Sequence, residues 1–199
     1  MQEVLPGIYS WSWFSQEKGY NFNGHVVATG TEWVIIDPPP ITSEEQEWLR
    51  KQGTITGIIL TNRDHIREAQ AFRTQFSTKV LIHEKDASLI EIQADKTYRD
   101  GERLPGGLVA AHVPDSKSPG ETALFLSRVK GVLFLGDALI GKPPGQLNLM
   151  QADKYADVAK AKQGIRVLLK YLYDSVLVGD GTSILTGGRQ AVQDFLERK

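Results

Sequence analysis

Residues 55–65 read Ile-Thr-Gly-Ile-Ile-Leu-Thr-Asn-Arg-Asp-His, an apolar run that stops at Leu60 and gives way to polar side chains and a histidine. A run of that length closed by turn residues predicts a buried strand. From 65 to 76 the apolar residues Ile66, Ala69, Phe72 and Phe76 fall at helical spacing, and Lys79 to Ile82 turns apolar again. The middle of the chain therefore predicts a βαβ unit, with its two strands parallel.

Working outward, residues 5 to 37 read as an antiparallel sheet. Ile8 to Trp13 alternates, His25 to Ala28 and Trp33 to Ile36 are rich in β-formers, and Gly19, Asn23-Gly24 and Thr29-Gly30 separate them. Pro38-Pro39-Pro40 ends the last strand after Asp37, because proline has no N–H for the ladder. A helix then opens with Ser43 as N-cap and Glu44 and Glu45 in its first turn. Downstream, strands are expected at 107–113, 121–127, 131–135 and 176–178, and helices at about 153–172 and 186–197. The segment Gly141-Lys142-Pro143-Pro144-Gly145 is a loop that suits either an ordered turn or a lid.

Composition narrows the chemistry. The 199 residues favour one domain, and 41% hydrophobic with 24% charged residues at a formal net charge of −1 describe an ordinary globular chain. Its 23 Lys and Arg are scattered, so no basic stripe marks a nucleic-acid or membrane-surface partner. No run approaches the length of a membrane span and the first residues lack a secretory pattern, so a cytoplasmic location is the default expectation. The absence of cysteine excludes disulfides, thiolate metal sites and a cysteine nucleophile. Imidazole chemistry has only His25, His65, His83 and His112 to draw on.

The informative residues are those at the carboxyl ends of the apolar strands. Asp37 comes after Trp33 to Ile36; Asn62, Asp64 and His65 come after Leu60; Asp115 and Lys117 after Val113; Asp137 after Gly136; Asp180 after Gly179. Taken singly, each is a turn or cap residue, since Asp and Asn favour such junctions. Together they fall where strand ends of an α/β sheet gather ligands and metals.

The order of these junctions resembles the metallo-β-lactamase superfamily over nearly the whole chain. Ile35-Ile36-Asp37-Pro38 is similar to the family's Ile-Asp-Pro turn, and Leu60-Thr61-Asn62-Arg63-Asp64-His65 to its Thr-His-x-His-x-Asp-His signature. Pro114-Asp115-Ser116-Lys117-Ser118-Pro119-Gly120 corresponds to Pro-Gly-His-Thr-Pro-Gly, Phe134-Leu135-Gly136-Asp137 to the strand ending in Gly-Asp, and Gly179-Asp180-Gly181 to the final Gly-His-Gly. The resemblance implies a single domain over residues 1–199, an α/β (α+β) four-layer αββα sandwich with two mixed β-sheets flanked by helices. It also implies a hydrolase built around divalent metal.

The chain departs from the family at the ligands. No histidine stands at the first metal position: Leu60 and Asn62 stand where the spaced pair would be without a gap, or Asn62 alone with a two-residue deletion, and Lys117 stands where the third histidine would be. At the second, the resemblance places Asp64, His65, Asp137 and Asp180, an oxygen-rich set that suits one Zn, Mn, Fe or Mg ion. Carboxylates so gathered repel one another unless a cation joins them. That cation is either a metal at this position or the Lys117 ammonium paired with Asp137, with Arg63 a candidate to join it. With a metal, Asp64 would orient or deprotonate a bound water while Lys117 or Asn62 steadies the oxyanion, in hydrolysis of an ester, thioester, amide or phosphoester.

Of the other histidines, His25 reads as structural or surface, His83 as surface, and His112, five residues before Lys117, as surface or pocket wall. Asp37 reads as a structural residue bonding backbone N–H groups, and Trp11, Trp13, Phe14 and Tyr20 as core or as the wall of a substrate pocket. Two functional readings stand: a metal-dependent hydrolase with a degenerate, at most mononuclear site, and a metal-free, non-catalytic protein that binds a small molecule or a partner on the same fold. Either takes a small-molecule substrate or ligand, and an exposed edge strand suits a homodimer.

Overall fold

The computed structural model describes residues 1–128 and 130–198. A seven-stranded sheet runs in chain order through β1 (Gln2–Leu5), β2 (Ile8–Ser15), β3 (Tyr20–Thr29), β4 (Glu32–Ile36), β5 (Thr54–Leu60), β6 (Val80–His83) and β7 (Lys96–Tyr98). Its first four strands pair antiparallel and its last four parallel. The second sheet holds β8 (Leu108–His112), β9 (Thr122–Leu126), β10 (Val132–Leu135) and β11 (Ser175–Val178), with β11 parallel to β10 and the other pairs antiparallel.

Side chains alternate along each strand, and the alternation builds the layers. Val34 and Ile36 join Ile59, Leu124, Phe134 and Leu177 in the core between the sheets. Ile35, Ile58 and Leu60 face the other way, onto Leu49 of α1 (Ser43–Gln52) and Phe72 of α2 (Ala69–Phe76). In the second sheet Leu133, Leu135, Val176 and Val178 turn outward onto α3 (Val158–Gly164), the 3-10 turn Ile165–Lys170 and α4 (Gly188–Glu197). Three apolar layers between four layers of secondary structure make the αββα sandwich.

Local departures from the sequence reading have local causes. Thr42, not Ser43, caps α1, in a capping box whose Oγ1 accepts the Glu45 N–H. The helix expected over 65–76 begins only at Ala69. Asn62 folds residues 63–65 into a 3-10 turn by accepting the Asp64 N–H at 2.9 Å, and Arg67 takes a positive φ of 35° that breaks helical geometry. The helix expected over 153–172 is divided likewise: Asp157 caps a new start by accepting the Lys160 N–H at 3.0 Å. No helix is long and apolar enough to cross a membrane among the described residues.

Candidate functional site

Asp37, His65, Asp137 and Asp180 stand just past the ends of β4, β5, β10 and β11, so the two sheets bring them to one rim. Asn23 of β3 ties the rim together: its N–H donates to Gly179 O at 2.7 Å, and its amide donates to Val178 O and Gly181 O at 2.9 Å each. Two glycines make the approach possible. A Cβ at Gly136 would lie 2.2 Å from Thr61 Oγ1, and one at Gly179 would lie 2.6 Å from His65 Cε1.

His65 is the hub. Its Nδ1 lies 2.8 Å from Asp37 Oδ2, and its Nε2 lies 3.3 Å from Asp137 Oδ1 and 3.9 Å from Asp180 Oδ1. Asp37 is itself fixed by the Thr61 N–H at 2.8 Å and the Thr61 hydroxyl. Burial and the Arg67 charge act to lower the His65 pKa, but Asp37 and Asp137 outweigh them and push it up to about 10. Asp137 moves the opposite way. Burial alone would raise it, but His65 and Lys117 hold it well below the ordinary carboxylate range. Asp180 is raised, because burial exceeds the help of His65 and Arg67.

The Lys117 ammonium donates to Asp137 Oδ2 at 2.6 Å and pairs with Asp64 Oδ2 at 3.0 Å. Arg67 supplies a second cation that the sequence reading missed. Its Nη2 donates to Asp180 Oδ1 at 2.6 Å and lies 3.2 Å from His65 Nε2, its Nη1 donates to Asn23 O at 3.0 Å, and the guanidinium rests over the Phe22 ring. The expected Arg63 stays outside, its Nε 4.0 Å from Asp64 Oδ2. Nothing in the motif distinguishes the two arginines; only the turn at Arg67 aims one inward.

Asp64, His65, Lys117, Asp137 and Asp180 all line one cavity of about 180 Å³, with Arg67, Tyr20 and Phe22. Asn62 does not. It is fully buried, its Oδ1 accepting the Asp64 N–H at 2.9 Å and its Nδ2 donating to Glu121 Oε1 at 3.4 Å, and it is not among the residues lining the cavity. Glu121, also missed, accepts the Ala138 N–H at 3.1 Å, and burial and Asp137 push its carboxyl well above the usual carboxylate range. The cavity opens into a larger hollow of about 790 Å³, which shares Lys18, Tyr20, Lys117 and Met150 with it and adds Lys142 and Lys154.

The other histidines lie elsewhere. His25 is buried, with Nδ1 2.7 Å from Ser10 Oγ, and burial lowers its pKa to about 4. His83, expected at the surface, is buried and stacks on His112, whose Nε2 is 2.9 Å from Pro119 O. His112 therefore braces a loop and does not line the cavity. Trp11 is core, Trp13 and Phe14 are exposed, and Tyr20 alone of that aromatic group walls the cleft.

His65, Asp137 and Asp180 form a group that could hold a metal ion, with one ligand atom from each within 4.8 Å of the others. Asp64, expected among the ligands, is outside that group and turned to Lys117. As folded, the group does not fit an ion. A metal needs bonds of about 2.0–2.2 Å to nitrogen and oxygen, and the Arg67 Nη2 already contacts two of the donors, Asp180 Oδ1 at 2.6 Å and His65 Nε2 at 3.2 Å, bringing a fixed positive charge against any such ion. His65 Nε2 has no lone pair to spare either: protonated, it donates toward Asp137, and neutral, it accepts from Arg67.

The fold is similar to solved metallo-β-lactamases. The enzyme from Pontibacter korlensis superposes with a TM-score of 0.80 at 18% identity, covering 100% of this chain and 98% of that one. The metallo-β-lactamase from Hirschia baltica gives 0.77 at 14%, covering 100% and 97%, and the B3 enzyme BLEG-1 gives 0.67 at 23%, covering 92% and 96%. No curated protein sequence matches the chain. The family model described as the metallo-beta-lactamase superfamily matches residues 2–198, nearly the full length of the fold and every junction of the site, and the chain belongs to that superfamily.

Proposed function

We propose that this protein binds a small polar molecule in the cleft above Arg67 and Lys117 and does so without a divalent ion. The observation that carries the reading is the position of the two side-chain cations. Arg67 at 2.6 Å from Asp180 and Lys117 at 2.6 Å from Asp137 give the buried carboxylates the positive partners that the superfamily takes from metal. The hollow beyond them is lined by Lys18, Lys142 and Lys154; Lys18 pairs with Glu17 at 2.6 Å and Lys154 with Asp153 at 3.6 Å, so Lys142, over the Tyr20 ring, is the cation that favours a ligand carrying an anionic group.

The second reading, a mononuclear metallohydrolase, is favoured by the convergence of His65, Asp137 and Asp180. Metal content of the purified protein, before and after exchange with manganese and zinc, separates the two. Less than about a tenth of an equivalent in every condition supports the metal-free site, and about one equivalent of bound ion overturns it.

A further inference from the structure

We infer that Arg67 is the resident cation of the His65, Asp137 and Asp180 cluster and the residue that bars a divalent ion from a site otherwise built to hold one. The inference rests on the metal-free reading above and goes further, because it assigns the exclusion to one side chain.

Three features place Arg67 inside a converging set of metal-type donors. The donors are buried and already converge within 4.8 Å. His65 gives Nδ1 to Asp37, the orientation that a metal-binding imidazole takes from a neighbouring carboxylate, so Nε2 is aimed at the cluster. Asp137 has its Oδ2 committed to Lys117 and its Oδ1 turned to His65, so one oxygen remains on the cluster side.

Charge gives the same answer. Asp37, Asp64, Asp137 and Asp180 are formally four negative charges, set against His65, Arg67 and Lys117. Without Arg67 and with a neutral, metal-binding His65, the imbalance rises to three charges. A divalent ion closes most of it.

Arg67 is held in the way at a local cost. Its φ of 35° lies in the left-handed region that L side chains avoid. Its guanidinium is nonetheless fastened by Asp180 Oδ1, Asn23 O, Asp37 O and Gly179 O and stacked on Phe22. A side chain with one imidazole and two carboxylates around it displaces ions of the Mn, Co and Zn class, which that donor set suits.

The experiment compares wild type, Arg67→Gly and Arg67→Gly with His65→Ala. Glycine both removes the guanidinium and suits the backbone at this position. Each protein is dialysed against Zn, Mn or Co, its metal content is measured, and the visible bands of bound Co are recorded. Wild type is expected to retain less than about a tenth of an equivalent, Arg67→Gly about one, a rise of about tenfold, and the double variant to fall back. Arg67→Met, which keeps the stem against Phe22, is measured in parallel in case the glycine variant does not fold.

A folded Arg67→Gly or Arg67→Met that binds no more than wild type overturns the inference and leaves the metal-free reading standing. Binding that survives His65→Ala overturns it as well, since the ion is then held elsewhere. One equivalent in wild type overturns both.

Discussion

Replacing Asp37 by asparagine tests whether His65 is the buried cation on which the centre is organised. The substitution keeps the shape and tolerates the residue's φ of 48°, since asparagine adopts the left-handed region readily. It removes the negative charge 2.8 Å from His65 Nδ1 and leaves one acceptor oxygen for the Thr61 N–H, the Thr61 hydroxyl and the imidazole. Both partners are buried, so solvent does little to screen the loss. Breaking a buried pair by removing one partner costs about 3–5 kcal/mol, and the acceptor that asparagine retains places this case near 3. For a domain of this size each kcal/mol moves Tm by about 2–4 °C, so Tm should fall by about 6–12 °C. Urea denaturation and thermal melts followed by circular dichroism at pH 6 read the change. The pH dependence carries an independent sign. His65 is raised to about 10 in the folded protein, so its stabilising contribution is complete below its unfolded pKa near 6.5 and is lost as pH rises toward 10. Asp37→Asn should flatten that decline, and the His65 ring protons should titrate at lower pH by NMR. An unfolding free energy within about 1 kcal/mol of wild type at pH 6, with an unchanged alkaline slope, would refute the paired, protonated His65.

Two further substitutions probe the same rim. Lys117→Met removes the ammonium from Asp137 and Asp64, and because that side chain keeps 20% exposure the loss should be about 2 kcal/mol in urea denaturation, with Lys117→Arg recovering part of it; a methionine variant as stable as wild type would show that the ammonium does not balance Asp137. Gly136→Ala places a Cβ 2.2 Å from Thr61 Oγ1 and 2.6 Å from Asn62 Nδ2, so it should cost about 3 kcal/mol, and an unchanged melt would mean that the β5 and β10 ends do not meet as closely as described.

The fold was legible because its signals are local and repeated. Continuous apolar runs in Val34-Ile35-Ile36, Ile58-Ile59-Leu60 and Leu133-Phe134-Leu135 declare strands buried on both faces, and each run gives way within two residues to a polar side chain that marks the rim. The cluster of Asp64, His65, Lys117, Asp137 and Asp180 at one cavity comes from those junctions alone. Helix boundaries were less legible, because Thr42 and Asn62 compete for backbone N–H groups through side-chain bonds that spacing does not reveal. Asn62 reads as a cleft residue in the sequence and is not one for the same reason: its capping bond turns the amide inward. Arg67 was beyond reach. Its partner Asp180 lies 113 residues away, and only the left-handed turn after His65 sends Arg67 and not Arg63 into the centre.

That difference between two arginines carries the metal-free reading. Losing histidines at the first metal position would leave the second able to work alone, since Asp137, Asp180 and His65 still converge. Lys117 does not interfere with that, because it holds Asp137 through the oxygen that faces away from His65. Arg67 does, because it contacts two of the three donors at once and is fastened by backbone carbonyls from β3, from the turn after β4 and from the end of β11. An arginine fixed by three separate segments is part of the architecture of the rim and not a side chain that an arriving ion simply pushes aside. On the metal-free reading proposed above, the cleft is organised around fixed side-chain cations, and a ligand entering from the lysine-lined hollow would meet Lys117 and Arg67 already paired. Their charges would then orient such a ligand.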